Sequence, residues 1–226
     1  MKRLIFPFLV LLLTVLACGR PAIHPTGTQS TPTPTATVAT ADLWYLKRGQ
    51  AKSDQAWGLD VDSAGNIYTA GYYQSPPSAL FYDLVVYKFA PDGREIWRTQ
   101  WGGNLEEKGF VVYVEEPYVY VGGTQHTSVA LDQADMAVLA LDMNTGEILW
   151  DFTWGQGFGY EEVDGLVAEG DYLYISGWTT GETTTGDMAV LKLNRSDGSL
   201  VWARSWGTAK FDEADGQMVV DEDYIY

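Results

Sequence analysis

The residues best suited to chemistry in this 226-residue chain are carboxylates that recur in a series of similar loops. GQAKSDQAW, GGNLEEKGF, GQGFGYEEVDG and GTAKFDEADG carry Asp54, then Glu106 and Glu107, then Glu161 and Glu162, then Asp212 and Glu213. A second set, Asp83, Asp135 and Asp187, recurs every 52 residues. Converging carboxylates would suit a basic ligand or Ca²⁺, which takes about six to eight oxygen ligands. Two carboxylates about 5–9.5 Å apart in a pocket would suit glycoside hydrolysis. A role repeated in every unit is more naturally structural. The expectation is therefore that these acids accept hydrogen bonds from backbone amides of the neighbouring unit. The run Asp60-Val61-Asp62-Ser63-Ala64-Gly65-Asn66 partly matches a calcium loop but lacks the distal Glu, and reads as a turn.

Other chemistries have little to work with. His24 and His126 are the only histidines and Cys18 is the only cysteine, so zinc, haem and Cys/His or Ser/His/Asp catalysis lack residues. His126 is expected in a solvated loop. Trp178, beside TTGETTTG in what reads as a long loop, is a candidate for stacking on a sugar or an aromatic ligand. Trp97, Trp150 and Trp202 recur in register and are assigned to packing.

The elements that position these residues follow from the period. Each 52-spaced Asp opens a similar run: DLVVYKFAPDGREIW, DMAVLALDMNTGEILW, DMAVLKLNRSDGSLVW. Trp-Gly follows each closing tryptophan, at Trp101-Gly102, Trp154-Gly155 and Trp206-Gly207. Upstream, NIYTAG, YVYVGG and YLYISG align on Tyr68, Tyr120 and Tyr174, with Tyr226 next in the series. Such a period signals propellers or solenoids. Each unit divides into four short strands, in the first unit about 58–62, 66–72, 83–90 and 94–101. Asp92-Gly93, Thr145-Gly146 and Asp197-Gly198 supply tight hairpins between third and fourth strands. The third strands are continuously apolar, as a sheet covered on both faces requires. The predicted class is all-β: four-stranded antiparallel propeller blades, about three of them full.

Gly65-Asn66-Ile67-Tyr68-Thr69-Ala70-Gly71, and Leu191-Lys192-Leu193 through Asp197-Gly198-Ser199, resemble the SBBP-type β-propeller repeat of bacteria. The resemblance covers 43–226, and departs from the family in lacking Gly-Asn in the later turns. Segments such as ALDMNTGEILW also resemble quinoprotein-type propeller repeats. Leu43–Gly49 aligns with a fourth strand, so repeat units phase at about 44–96, 97–149, 150–201 and a partial 202–226. Because propellers usually have about four to eight blades, the expectation is a truncated ring or an open arc.

The first 41 residues are of another kind. Met1-Lys2-Arg3 precedes an apolar run from Leu4 to Ala17, too short to span a bilayer but right for a signal peptide over 1–17. Val15-Leu16-Ala17-Cys18-Gly19 resembles the lipobox of bacterial lipoproteins, which implies lipid attachment at Cys18 and a place outside the cytoplasm on a bacterial membrane. Residues 18–41 are rich in Thr and Pro and read as a tether. Only Lys2, Arg3 and Arg20 are basic before Asp42 and none is acidic, which leaves 11 basic against 30 acidic residues in the body. That balance excludes nucleic acid as a partner. A protein, glycan or cation ligand on an anchored, non-catalytic binding scaffold is the favoured expectation. The alternatives are a carboxylate hydrolase, a quinoprotein-type oxidoreductase, or a component of envelope assembly.

Overall fold

The chain divides into two units, Met1–Asp42 and Leu43–Tyr226. A computed structural model describes residues 54–74, 81–130, 132–157, 159–181, 186–212, 214, 216, 218–221 and 224–226. The signal peptide, Cys18, the tether, the Leu43–Gly49 strand and Glu213 lie outside the described residues.

Twelve strands form three four-stranded antiparallel sheets, each in sequential order. Blade 1 holds β1 (Gln55–Val61), β2 (Ile67–Tyr73), β3 (Asp83–Phe89) and β4 (Glu95–Trp101). Blade 2 holds β5 (Glu107–Glu115), β6 (Tyr118–His126), β7 (Ala134–Asp142) and β8 (Ile148–Trp154). Blade 3 holds β9 (Glu161–Glu169), β10 (Tyr172–Thr179), β11 (Asp187–Asn194) and β12 (Leu200–Trp206). The fold is that of propeller blades, as the spacing predicts. Repeat windows that open on a fourth strand therefore straddle two sheets.

Two clusters lock the blades face to face. Blade 1 gives Tyr68, Leu84, Val86 and Trp97 to meet Val112, Val119, Leu139 and Leu141 of blade 2. Blade 2 gives Tyr120, Val138 and Trp150 to meet Leu166, Leu173, Ile175 and Leu191 of blade 3. Of the third strands β7 packs on both sides, with Leu139 and Leu141 toward blade 1 and Val138 and Ala140 toward blade 3, and Leu84, Val86, Leu139 and Leu191 have essentially no exposed surface. Fully burying such a side chain contributes about 1.5–3 kcal/mol.

The hairpins between third and fourth strands also act as clamps. Gly146 (φ 74°) and Gly198 (φ 71°) turn the chain where L side chains are strained. Each also lies against the previous blade's indole: an added Cβ would come 2.7 Å from Trp97 or 2.6 Å from Trp150.

Candidate functional site

The carboxylates occupy one edge of the sheets, where first and third strands begin and fourth strands end. Strand register sorts them. Gln55 pairs with Tyr72, Lys108 with Thr124 and Glu162 with Trp178, so Asp54, Glu107 and Glu161 hold equivalent places one residue earlier. Asp212 joins them through the main chain: Glu107 N donates to Tyr82 O at 2.8 Å, and Asp212 N to Gly186 O at 3.0 Å. Glu106 lies one residue before this position and Glu162 one residue after it.

Each Trp-Gly glycine leaves room for a carboxylate. A Cβ on Gly102 would lie 2.6 Å from Glu107 Oε2 and 2.7 Å from Asp83 Oδ1, so both acids crowd the same point. Asp135 Oδ1 and Asp187 Oδ1 fill the corresponding space at Gly155 and Gly207. Glu107 accepts from Gly103 N at 3.1 Å, and Glu161 from Thr179 Oγ1 at 2.9 Å and Gln156 N at 3.4 Å. Asp83 accepts from Gln100, Asp54 from Gln74 N at 3.4 Å, and Asp212 from both the amide and hydroxyl of Thr208. These acids thus brace their own loops. Asp60 does reach a neighbouring blade's amide, accepting from Val114 N at 2.7 Å. The Asp60–Asn66 run is a turn, as expected: Asp62 accepts from the amides of Ala64 and Asn66.

Burial sets the electrostatics. Glu106, Glu107 and Glu161 are 5, 2 and 0 % exposed. Burial, with Asp83 adding to it, pushes the Glu107 carboxyl up to about 7. Burial likewise raises Glu161, Asp135 and Asp83. Asp212, held by the hydroxyl and amide of Thr208, is lowered instead. Among the described residues no three His, Cys, Asp or Glu side chains come together as a metal site.

Two expectations need correction. His126 is not a solvated loop residue: it closes β6 and is 4 % exposed. The strand runs on because His126 N donates to Glu106 O at 2.8 Å. Its ring meets Tyr160 edge-on at 5.5 Å, and its Nε2 lies 3.8 Å from Glu106 Oε2, a carboxylate held by Lys108 at 2.7 Å. Burial lowers the imidazole's pKa. Trp178 lies within β10 rather than a loop, stacked on Tyr160 at 5.4 Å and met edge-on by Phe211 at 5.1 Å. Its ring is therefore half-buried against two aromatic rings of its own chain.

Sequence reading missed Arg195. Its Nε donates to Tyr120 Oη at 2.9 Å, and its Nη1 donates to Gly170 O at 3.0 Å. The aligned hairpins put Pro91, Met143 and Arg195 at matching places, so an arginine there was a visible departure without a visible partner.

A repeat of four-stranded blades, braced by inward acids and clamped by indoles, defines a propeller-type protein. A family profile described as outer membrane protein assembly factor BamB matches residues 134–226. Among solved structures, the chain is similar to BamB from Moraxella catarrhalis (16% identity, TM-score 0.46), over 75% of this chain and 45% of that one. It is also similar to the quinohemoprotein alcohol dehydrogenase ADHIIG of Pseudomonas putida HK5 (15% identity, TM-score 0.44), over 67% of this chain and 27% of that one. The chain thus spans less than half the length of these solved relatives. Among curated proteins none matches.

Proposed function

We propose that this is an extracytoplasmic scaffold lipoprotein of SBBP-type propeller repeats, anchored through Cys18, that binds a protein partner in envelope assembly and catalyses no reaction. The observation that carries the reading is the profile match over residues 134–226 to an outer membrane assembly factor. The apolar run ending at Ala17-Cys18 supports the anchor, and the Thr/Pro-rich segment after it supports a tether. A protein is favoured over a glycan or cation because the repeated acids turn into their own loops and Trp178 is packed. The test is expression of the full chain in its bacterial host with labelled palmitate. Label and membrane fractionation should both depend on Cys18, and Cys18→Ser should release the protein from the membrane. Deleting the gene should lower the level of outer membrane proteins. An unlabelled chain in the soluble fraction, with unchanged outer membrane proteins on deletion, would sink the reading.

A further inference from the structure

Buried polar groups are nearly always hydrogen-bonded, so one without a partner needs a reason. His126 is such a group. It is 4 % exposed, and among the described residues neither Nδ1 nor Nε2 has a hydrogen-bond partner. Glu106 Oε2 stands 3.8 Å from Nε2. Lys108 Nζ approaches that same oxygen at 2.7 Å. One carboxylate oxygen therefore lies between an ammonium that it holds and an imidazole that it does not.

The two bases around Glu106 reach toward opposite neighbours of blade 2. Lys108 Nζ lies 5.6 and 5.5 Å from the ring centres of Tyr72 and Tyr82, both of blade 1. His126 meets Tyr160 edge-on, and Tyr160 stacks on Trp178 of blade 3. Burial lowers the imidazole from its usual 6.5, Glu106 works against that, and Lys108 adds to it. The other acids nearby are turned elsewhere: Glu107 to Gly103 N, Asp135 to Gly155, and Glu161 to Thr179 and Gln156. Tyr160 stays neutral, its hydroxyl pushed up to about 12 by burial and by Glu162. Ala134, which pairs with His126 from β7, and Thr124 on β6 itself carry no charge.

We propose that Glu106 is the moving part of an acid-sensitive switch between the two junctions. While His126 is neutral, the carboxylate holds Lys108 against the tyrosines of blade 1. Once His126 takes a proton from solvent, its Nε2–H donates to Glu106 and Lys108 turns out to water. Exposure decides which cation yields. The Lys108 side chain is 20 % exposed and can exchange the carboxylate for water, whereas the imidazolium, at 4 %, has Glu106 as its acceptor. A buried charge without a partner costs far more than a hydrated one. Acid thus withdraws a charged contact from the blade 1 side and adds one on the blade 3 side. Histidine is the side chain suited to such a change in mild acid, and a rise in pH reverses it. The switch stands apart from the envelope reading, because it needs neither Cys18 nor a partner protein.

The test is an NMR titration of the full chain in detergent. His24 and His126 are the only histidines, so His24→Asn assigns both ring resonances. From about pH 7.5 to about pH 4.5, His126 should titrate below His24. The Lys108 ammonium signal, assigned by Lys108→Arg, should broaden away through the same midpoint. That loss is diagnostic, because acid ordinarily slows ammonium exchange and sharpens such signals. His126→Gln should keep the ammonium signal throughout. It should also make Tm fall more steeply from about pH 4.5 to about pH 7. A base whose folded pKa lies below its unfolded 6.5 withdraws stability as pH drops under 6.5, and the variant removes that loss. Glu106→Gln should lower the His126 midpoint further, and it keeps the test open if His126→Gln does not fold. A Lys108 signal that ignores the His126 titration, or that still vanishes in His126→Gln, overturns the proposal. So does a His126 midpoint unmoved by Glu106→Gln. Unfolding before His126 titrates overturns it as well, since the switch must act within the folded chain.

Discussion

At the junction of blades 1 and 2 the positive charge comes from the leading blade; at the next it comes from the following one. Lys88 is buried on β3, reaches Met143 O, and lies 5.1 Å from the centre of the Tyr68 ring. At the second junction Ala140 stands where Lys88 would be, because Tyr68 pairs with Lys88 and Tyr120 with Ala140. The cation is now Arg195, in the opposite hairpin, 5.7 Å from the Tyr120 ring centre. What persists is a cation against a tyrosine with no exposed surface. The two solutions differ in strength. Lysine makes one charged hydrogen bond, whereas arginine makes two and lies 3.8 Å from Glu115 Oε1.

That difference predicts the largest effect. Arg195→Met should cost about 3 kcal/mol in urea unfolding, because two charged hydrogen bonds disappear and the Tyr120 hydroxyl loses its partner. Lys88→Met should cost about 1–2 kcal/mol, since Trp97 still serves Met143 O. An equal or reversed order would break the comparison. Moving the charge across sharpens it: Ala140→Lys added to Arg195→Met should recover about 1 kcal/mol by copying the first junction into the second. No recovery would mean that the two junctions differ in more than the source of the cation.

The smallest effect is a pH slope. The fold holds Glu107 protonated up to about 7, against 4.5 for a free glutamate, and also raises Glu161. A raised carboxyl contributes stability that is full below its unfolded pKa and is lost as pH rises to the folded one. Tm should therefore fall from pH 4.5 to 7. Glu107→Gln and Glu161→Gln should each flatten part of that slope, one per junction. Asp62, Asp142 and Asp197 are lowered by hydrogen bonds in their turns, so their share is lost only as pH drops below the ordinary aspartate value. A Tm that climbs steadily from pH 4.5 to 7 would contradict this assignment.

Most of the fold was legible in the sequence because each signal occurs three times. The third strand expected at 83–90 is observed at Asp83–Phe89, and the fourth expected at 94–101 at Glu95–Trp101. The candidate site was less legible. A period shows that Asp83 and Glu107 recur, but not which way they turn. Inward orientation depends on Gly102, Gly155 and Gly207, whose missing side chains leave space that a carboxylate fills. The Trp-Gly signal was plain; its pairing with an acid some twenty residues earlier in the chain exists only once strands are paired. His126 and Trp178 misled for a related reason. Trp178 adjoins the run TTGETTTG and His126 adjoins Thr127-Ser128, yet main-chain pairing keeps both residues in their strands.

The acceptors of the indole clamps, Met143 O and Arg195 O, are main-chain atoms. No substitution removes a carbonyl, so the indole's acceptor survives drift in sequence provided the turn keeps its glycine, even where a side chain such as Arg195 carries a separate duty. That leaves the hairpins PDGR, MNTGE and RSDGS room to diverge while Trp97 and Trp150 stay fixed. In such a repeat, resemblance between blades decays fastest on the half of each contact that matters no less to stability. Copies that look unrelated along their hairpins can still stack in register.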